Sequence, residues 1–378
     1  MYQLPEETPT VIHLPPSFPS TGLGDDAAFE LLGVPALQQA ADLAAPDALA
    51  HMDPPSAPVA ARMAFLVAQA NQNMLHPATS PFATEAERIV LDWITPYFGM
   101  AWGQFCSGSS LANLTALWAA REAGARRVVA SADAHVSVPK AANILGLAYH
   151  PVPVDEHGRL IRAELPDLAD AALVLTAGTT GRGVIDALSP IAAKWLHVDA
   201  AWAGPMQFTR AAPRLAGIEA ADSIAISAHK WFFQPKGAAL ALFRDEATRD
   251  FITFKTSYLA RPNVGVEGTR SAAALPLLAT LLAWGQDGLA ERIERCIAVA
   301  DVLGQRLAED PRTELKQMPE TGVLNWRPVA GGVEKTIAAL SGTSSAFTIK
   351  DTLWVRQVSA NPYADVESIW QRIVATLI

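Results

Sequence analysis

A lysine stands inside an apolar run. The stretch DSIAISAHKWFFQPKGAALALFRD, residues 222–245, sets His229 and Lys230 between the strand-like SIAIS and the bulky WFF. The pattern predicts a strand, a sharp turn and a second strand, GAALALF. Two readings of the lysine stay open on this segment alone. Its ammonium can snorkel to water, or it can sit desolvated in a cleft, where a lowered pKa frees the amine to attack a carbonyl. Four other places carry groups suited to join such chemistry. FCSGSSLANLTALW puts Gly108, Ser109 and Ser110 at a helix start. Small residues there let backbone N–H groups and the helix dipole meet an anion, although a plain serine N-cap would look the same. ASADAHVS puts His135 after a strand, where a lone histidine is more often a satisfied loop residue. LTAGTTGRG puts Thr179 and Thr180 at a strand end beside turn-forming glycines. WLHVDAAWAG ends a near-continuous apolar strand in Asp199, a carboxylate costly to bury unless paired or hydrogen-bonded.

Each of these groups follows a predicted strand or opens a predicted helix. Strand candidates are RRVVASA, LAYHPVPV, ALVLTAG, WLHVDAA, SIAIS and GAALALF, with helices at SSLANLTALWAAREAG and VPKAANILG between them. That alternation predicts a mainly parallel central sheet covered by helices on both faces. In such sheets ligands bind at the carboxyl ends of the strands. Upstream, LPPSFPSTG reads as an extended arm, residues 26–50 as short helices, and 57–74 as a helix. A further helix starts at TEAERIVLDWITPYFG, where Thr84 and Glu87 have capping-box spacing and Ile89, Val90, Trp93 and Ile94 form an apolar stripe. Downstream, residues 271–309 predict a long amphipathic helical region. GVLNWRP, DTLWVRQVS and DVESIWQRIVATLI then outline a small C-terminal α+β domain. The expected organisation is an N-terminal arm over 1–55, a large domain over 56–285 and a small domain over 286–378.

Composition narrows the class. The 378-residue chain is half hydrophobic and carries a formal charge of −9, which argues against a nucleic-acid footprint. No uninterrupted apolar run reaches the length of a membrane span. MYQLPEETPT lacks the charged start and apolar core of a signal peptide. The two cysteines, Cys106 and Cys296, offer neither a disulfide framework nor metal-ligand spacing. A cytoplasmic protein without a metal, without a nucleic-acid partner and without a membrane segment is the expectation.

The order of the chemical groups is more specific than any one of them. A phosphate-cradle helix, a histidine, Gly-Thr-Thr, a strand-end aspartate and then His-Lys are the parts that a pyridoxal-phosphate enzyme needs. Over roughly residues 50–378 the chain resembles the group II pyridoxal-phosphate-dependent decarboxylases, the glutamate, aromatic-amino-acid and diaminobutyrate decarboxylase group of fold type I. NQNMLHPATSPFATEAERIVLDW, CSGSSLANLTALWAAREAG, HVSVPKAANILGL, LTAGTTGRGVID, HVDAAWAG and SAHKWFFQP carry the resemblance, the last leaning towards the diaminobutyrate branch. The resemblance implies a pyridoxal 5'-phosphate cofactor and an amino-acid decarboxylase, a carbon–carbon lyase. Lys230 would form the Schiff base, Asp199 would pair with the pyridine nitrogen, and His135 would stack on the ring. Gly108, Ser109, Ser110, Ser227 and His229 would hold the phosphate, with Thr179, Thr180 and Ala201 near the ring. Arg356, in WVRQVSANP, would take the substrate α-carboxylate, against the plain reading of a structural arginine on an edge strand, and His76 would be a second substrate contact. A small-molecule amino acid as substrate and a homodimer with its site between subunits are implied as well.

Two features depart from the family pattern. Leu111 stands where the family usually has an acidic residue in the Ser/Gly turn. The family also carries a long loop after a Tyr-Leu pair, whose tyrosine returns a proton to the substrate after CO₂ leaves. Here SYLARPNVGVEGTR leaves only ARPNVGVE between Leu259 and Gly268, without a tyrosine. Tyr258, His76 and His229 remain as candidate acids, and nothing in the sequence selects one. Other lyase, aldol-type or aldehyde-forming chemistry on the same scaffold therefore stays open. A non-catalytic descendant is at odds with the presence of Lys230, Asp199 and His135 together, and an aminotransferase with the His-Lys-Trp context.

Overall fold

The computed structural model describes residues 14–377, so the segment read for a signal peptide, residues 1–10, lies outside the described residues. The chain divides after Leu43 into two compact units. In the first, helix α1 (Asp25–Gln38) starts with Asp25 and Asp26, where the helix dipole favours acids. From 39 to 50 the backbone turns and bends, so only part of the helical structure expected over 26–50 forms.

The second unit is built on a seven-stranded sheet. Its strands are β1 (Trp102–Cys106), β2 (Arg127–Ser131), β3 (Ala148–Val152), β4 (Ala171–Thr176), β5 (Trp195–Asp199), β6 (Ser223–Ser227) and β7 (Ala239–Phe243). They lie in the order β1-β7-β6-β5-β4-β2-β3. β7 runs antiparallel to both neighbours, and the other strands run parallel. Strand β1 escapes the sequence pattern because Gly103 and Gln104 interrupt its apolar alternation. Pairing with β7 makes it a strand, and Trp102 stacks on Phe243 at 4.3 Å.

Alternation along the strands gives the two faces different characters. Leu173, Leu175, Ile224, Ile226, Leu240 and Leu242 point into one core. Ala172, Val174, Ala225, Ala239 and Ala241 point into the other. The alanine-rich face lets helix α4 (Ser109–Glu122) lie close to β6 and β7, and most of that helix is buried. Helix α5 (Ser137–Ile144) packs beside it. The larger side chains face α2 (Pro58–Gln69), α3 (Pro81–Ile94) and the first part of α7 (Ala274–Glu309), beyond the short α6 (Thr248–Phe251).

Two local readings need correction. Helix α3 begins at Pro81 after Ser80, so Thr84 lies inside the helix and forms no capping box. Its partner Glu87 instead takes a bidentate ion pair from Arg270, with Nη1 2.7 Å from Oε2. Of the predicted stripe, Val90 and Ile94 are buried, while Trp93 is 45% exposed, since Ala83 and Ala86 carry the buried face in its place. Two short strands, β8 (Thr253–Phe254) and β9 (Asn263–Val264), pair around residues 255–262. The C-terminal sheet has the order β10-β11-β13-β12, all antiparallel, from β10 (Thr313–Leu315), β11 (Val323–Pro328), β12 (Ser345–Ile349) and β13 (Thr352–Val358). With α8 (Val333–Ala339) and α9 (Val366–Val374) it encloses a third core that includes Leu303, Leu307, Trp326, Val355 and Ile369.

Candidate active site

The predicted residues gather at the carboxyl ends of the parallel strands. Gly108 follows β1, His135 follows β2, Thr179 and Thr180 follow β4, Asp199 closes β5, and Ser227 leads from β6 into the turn that carries His229 and Lys230. Parallel strands present such ends side by side, which is why groups far apart in sequence meet.

At the start of α4, the N–H groups of Leu111 and Ala112 return to Gly108 O, and those of Ser109 and Ser110 have no partner among the described contacts. A Cβ placed on Gly108 would meet nothing within 4 Å, so open space stands over these donors. Leu111 packs against the small-residue core, consistent with the helix losing an acid there. A carboxylate nevertheless reaches the turn from elsewhere. Glu267 Oε2 accepts from Ser107 N–H at 2.8 Å, and its other oxygen binds the Ser107 hydroxyl.

The Asp199 carboxylate is buried and hydrogen-bonded, as its cost required. Oδ1 accepts from Ala201 N–H at 3.1 Å and Oδ2 from Asn113 Nδ2 at 3.0 Å. Burial pushes the Lys230 amine below its ordinary value, against the raising effect of Asp199 and Asp53. That direction is in keeping with the desolvated reading of the lysine. His229 is pulled down to about 4 by burial, assisted by Lys236 and Lys230. Its Nε2 lies 3.1 Å from Ser227 Oγ, while its buried Nδ1 has no partner. Burial likewise lowers His135, with Lys230 and Lys140 adding to the effect and Asp199 opposing it. Thr179 spends its hydroxyl on its own turn, accepting from Val184 N–H at 3.2 Å. The carbonyl of the exposed Thr180 receives Arg356 Nε at 3.0 Å and Nη2 at 2.7 Å. Arg356 sits on β13, an interior strand and not the edge strand that the plain reading supposed.

His76 and Tyr258 are not brought in. His76 is half-buried, and its backbone carbonyl accepts from the Thr79 hydroxyl at 2.7 Å. Tyr258 is 73% exposed, and no contact joins either to Lys230 among the described residues. Several residues of the site were missed by sequence reasoning. Asn113, Ser137 and His197 form a buried polar cluster around Asp199. The only signal for Asn113 was its place four residues after Ser109, one helical turn into α4. Asp53 was missed too. Its burial pushes it up, yet Lys236, His51 and His229 hold its carboxyl below the usual range.

The arrangement sets open backbone N–H donors at a helix start, an amine whose charge burial disfavours and a buried carboxylate at the strand ends of one sheet. The profile of the pyridoxal-dependent decarboxylase conserved domain matches residues 46–327, and the chain belongs to that family. It is 38% identical over 311 residues to the L-2,4-diaminobutyrate decarboxylase of Rhizobium meliloti, covering 72% of this chain but 62% of that protein's length. It is 30% identical over 366 residues to the probable L-tyrosine/L-aspartate decarboxylase of Methanopyrus kandleri, covering 88% of this chain and 96% of that one. Among solved structures it resembles the glutamate decarboxylase domain of the diaminobutyrate–pyruvate transaminase and L-2,4-diaminobutyrate decarboxylase from Vibrio parahaemolyticus. The TM-score is 0.79 at 21% identity, over 94% of this chain and 87% of that one. Catharanthus roseus tryptophan decarboxylase gives a TM-score of 0.82 at 18% identity, over 96% and 89%. The fold is fold type I, and the cofactor is pyridoxal 5'-phosphate. The open cradle at Gly108 and the unpartnered His229 Nδ1 fit that group.

Proposed function

We propose that the chain is a pyridoxal-phosphate-dependent L-amino-acid decarboxylase. The observation that carries the reading is the placement of Gly108–Ser110, His135, Asp199 and Lys230 at the carboxyl ends of strands in one sheet, with the Arg356 guanidinium at Thr180 O. Lys230 Nζ is the amine that holds the cofactor aldehyde, and burial favours its uncharged, nucleophilic form. The N–H groups of Ser109 and Ser110, with Ser227 and His229 from the lysine turn, hold the phosphate. Asp199 holds a proton on the pyridine nitrogen, and Thr179, Thr180 and Ala201 shape the turn beside it. Bound pyridoxal phosphate supplies an electron sink for the pair left when CO₂ departs. Arg356 orients the substrate carboxylate, for which its planar fork is suited. The α-carboxylate, as the group to be expelled, must stand where that electron pair can enter the ring.

The active protein is proposed to be a homodimer. Phe65, Leu66, Phe82 and Trp93 on α2 and α3 are 66, 52, 68 and 45% exposed, which a second copy would cover. We place the start of the small domain within α7, where Gly285 breaks the helix with φ 63°. A cytoplasmic location accords with the lack, among the described residues, of a helix long and apolar enough to cross a membrane.

The test is Lys230→Ala in protein loaded with cofactor. It should lose the absorption band of the covalent lysine–cofactor bond, and turnover should fall by at least about 10³-fold, as for loss of a covalent nucleophile. A borohydride-fixed adduct persisting in the variant would overturn the assignment.

A further inference from the structure

Around Asp199 lies a chain of buried hydrogen bonds whose direction is set by which groups can donate. Trp195 Nε1 donates to Ser223 Oγ at 2.8 Å, and Ser223 Oγ lies 2.8 Å from His197 Nδ1. His197 Nε2 lies 3.0 Å from Asn113 Oδ1. Asn113 Nδ2 reaches Asp199 Oδ2 at 3.0 Å and Ser137 Oγ at 2.8 Å. Ser137 Oγ in turn lies 2.8 Å from His135 Nδ1.

A carboxylate accepts and does not donate, so Asn113 must turn its NH₂ to Asp199 and its carbonyl to His197. His197 must then carry its proton on Nε2, and its bare Nδ1 accepts from the Ser223 hydroxyl. The competing contact, His197 Nδ1 to Ser223 O at 3.1 Å, needs the opposite tautomer. That tautomer would leave two acceptors facing each other at 3.0 Å, either at His197 or at Asp199. On the other branch, Ser137 Oγ receives from Asn113 and passes its own proton to His135 Nδ1. The Ser137 backbone N–H, a donor in every state, also points at His135 Nδ1 at 3.2 Å. All members of the chain except His135 are buried, which makes misdirected donors costly.

We infer that Asn113 is a positioning residue through which the Asp199 carboxylate fixes the tautomer of His197, with its proton on Nε2, while the Ser137 hydroxyl and backbone N–H hold His135 in the same tautomer. His135 then offers a neutral N–H donor on the side away from Ser137, and Asp199 is held through both oxygens, by Ala201 N–H and Asn113 Nδ2. The role of these groups towards the cofactor rests on the function proposed above, whereas the tautomers are set by protein groups alone. Burial keeps both histidines uncharged, His197 down to about 4 against the raising effect of Asp199.

The experiment is long-range nitrogen–proton NMR on histidine-labelled holoenzyme at neutral pH, with signals assigned by His135→Gln and His197→Gln. Both rings in the wild type should show the Nε2–H pattern. In Asn113→Ala, His197 should shift its proton towards Nδ1, and the dissociation constant for pyridoxal phosphate should rise about tenfold, the effect of losing one charge-assisted hydrogen bond. In Ser137→Ala, both rings should keep the Nε2–H pattern, because the residue 137 backbone N–H still points at His135 Nδ1. An Nδ1–H pattern on either ring of the wild type overturns the inference, even if the variants fail to fold. An Asn113→Ala protein with unchanged tautomer and cofactor affinity overturns it too. If the Lys230 absorption test fails while both tautomers are as stated, the fault lies with the proposed function and not with this chain of bonds.

Discussion

Replacing Arg356 with methionine should separate catalysis from stability. The side chain is 7% exposed, and its guanidinium donates twice to Thr180 O and once to Ser345 Oγ, at 3.3 Å. No carboxylate pairs with it among the described ion pairs. Burial pulls its pKa down to about 10. The group is charged at pH 7 in both folded and unfolded states, so the depressed folded value is a native-state cost that fades only above about pH 10. At 1.36 kcal/mol per pH unit that cost is roughly 3 kcal/mol. Methionine removes it, and removes with it the charge-assisted bonds to Thr180 O, worth about 1.5–3 kcal/mol net. The two changes nearly cancel, because the exposed Thr180 lets its carbonyl turn to water. The melting temperature should therefore stay within about 3 °C of wild type. Loss of a two-pronged contact to the substrate carboxylate, about 3–4 kcal/mol, should lower kcat/KM by about 10²–10³-fold. Thermal melts and steady-state CO₂ release on the best amino acid give both quantities. A melting point lowered by more than about 10 °C with kcat/KM within threefold of wild type would show that Arg356 is a structural residue.

Other outcomes follow from the same physics. Glu87→Ala leaves Arg270 charged and only 14% exposed, and should cost about 3 kcal/mol of stability in denaturant titration; a loss under 1 kcal/mol would mean water replaces the carboxylate. His197 has a folded value near 4 against about 6.5 unfolded, so the unfolded chain takes up its proton first and stability falls as pH drops from about 6.5 to 4. Asp186, raised to about 6 by burial against two backbone donors, acts in the opposite direction over about 4 to 6. His197→Gln should therefore show a shallower acid loss than wild type, by up to roughly 3 kcal/mol across that window, and an unchanged slope would contradict it. Burial and the nearby Glu267 push the Cys106 thiol up to about 12, so native protein should resist thiol reagents at pH 8 until denaturant is added. Rapid labelling of Cys106 would refute that.

The sequence determined the parallel sheet, because runs such as ALVLTAG and WLHVDAA are too continuously apolar for a half-exposed strand and alternate with helical segments. It also determined the order of Gly108, His135, Thr180, Asp199 and Lys230, since strand ends and helix starts are local features. Tertiary structure alone decided β1, whose Gly103 and Gln104 become a strand only by pairing with β7. It decided the fate of Thr84 and Glu87, because Ser80 and Pro81 start the helix earlier and Arg270 lies 183 residues away from Glu87 in sequence. It left His76 and Tyr258 outside the set that meets at Lys230. The Asn113–His197–Ser137 cluster was invisible for the same reason: each residue is an ordinary polar group in its own segment. Only packing α4 onto β5 and β6, with α5 beside α4, closes the distances to 3 Å and removes the water that would otherwise compete for every bond.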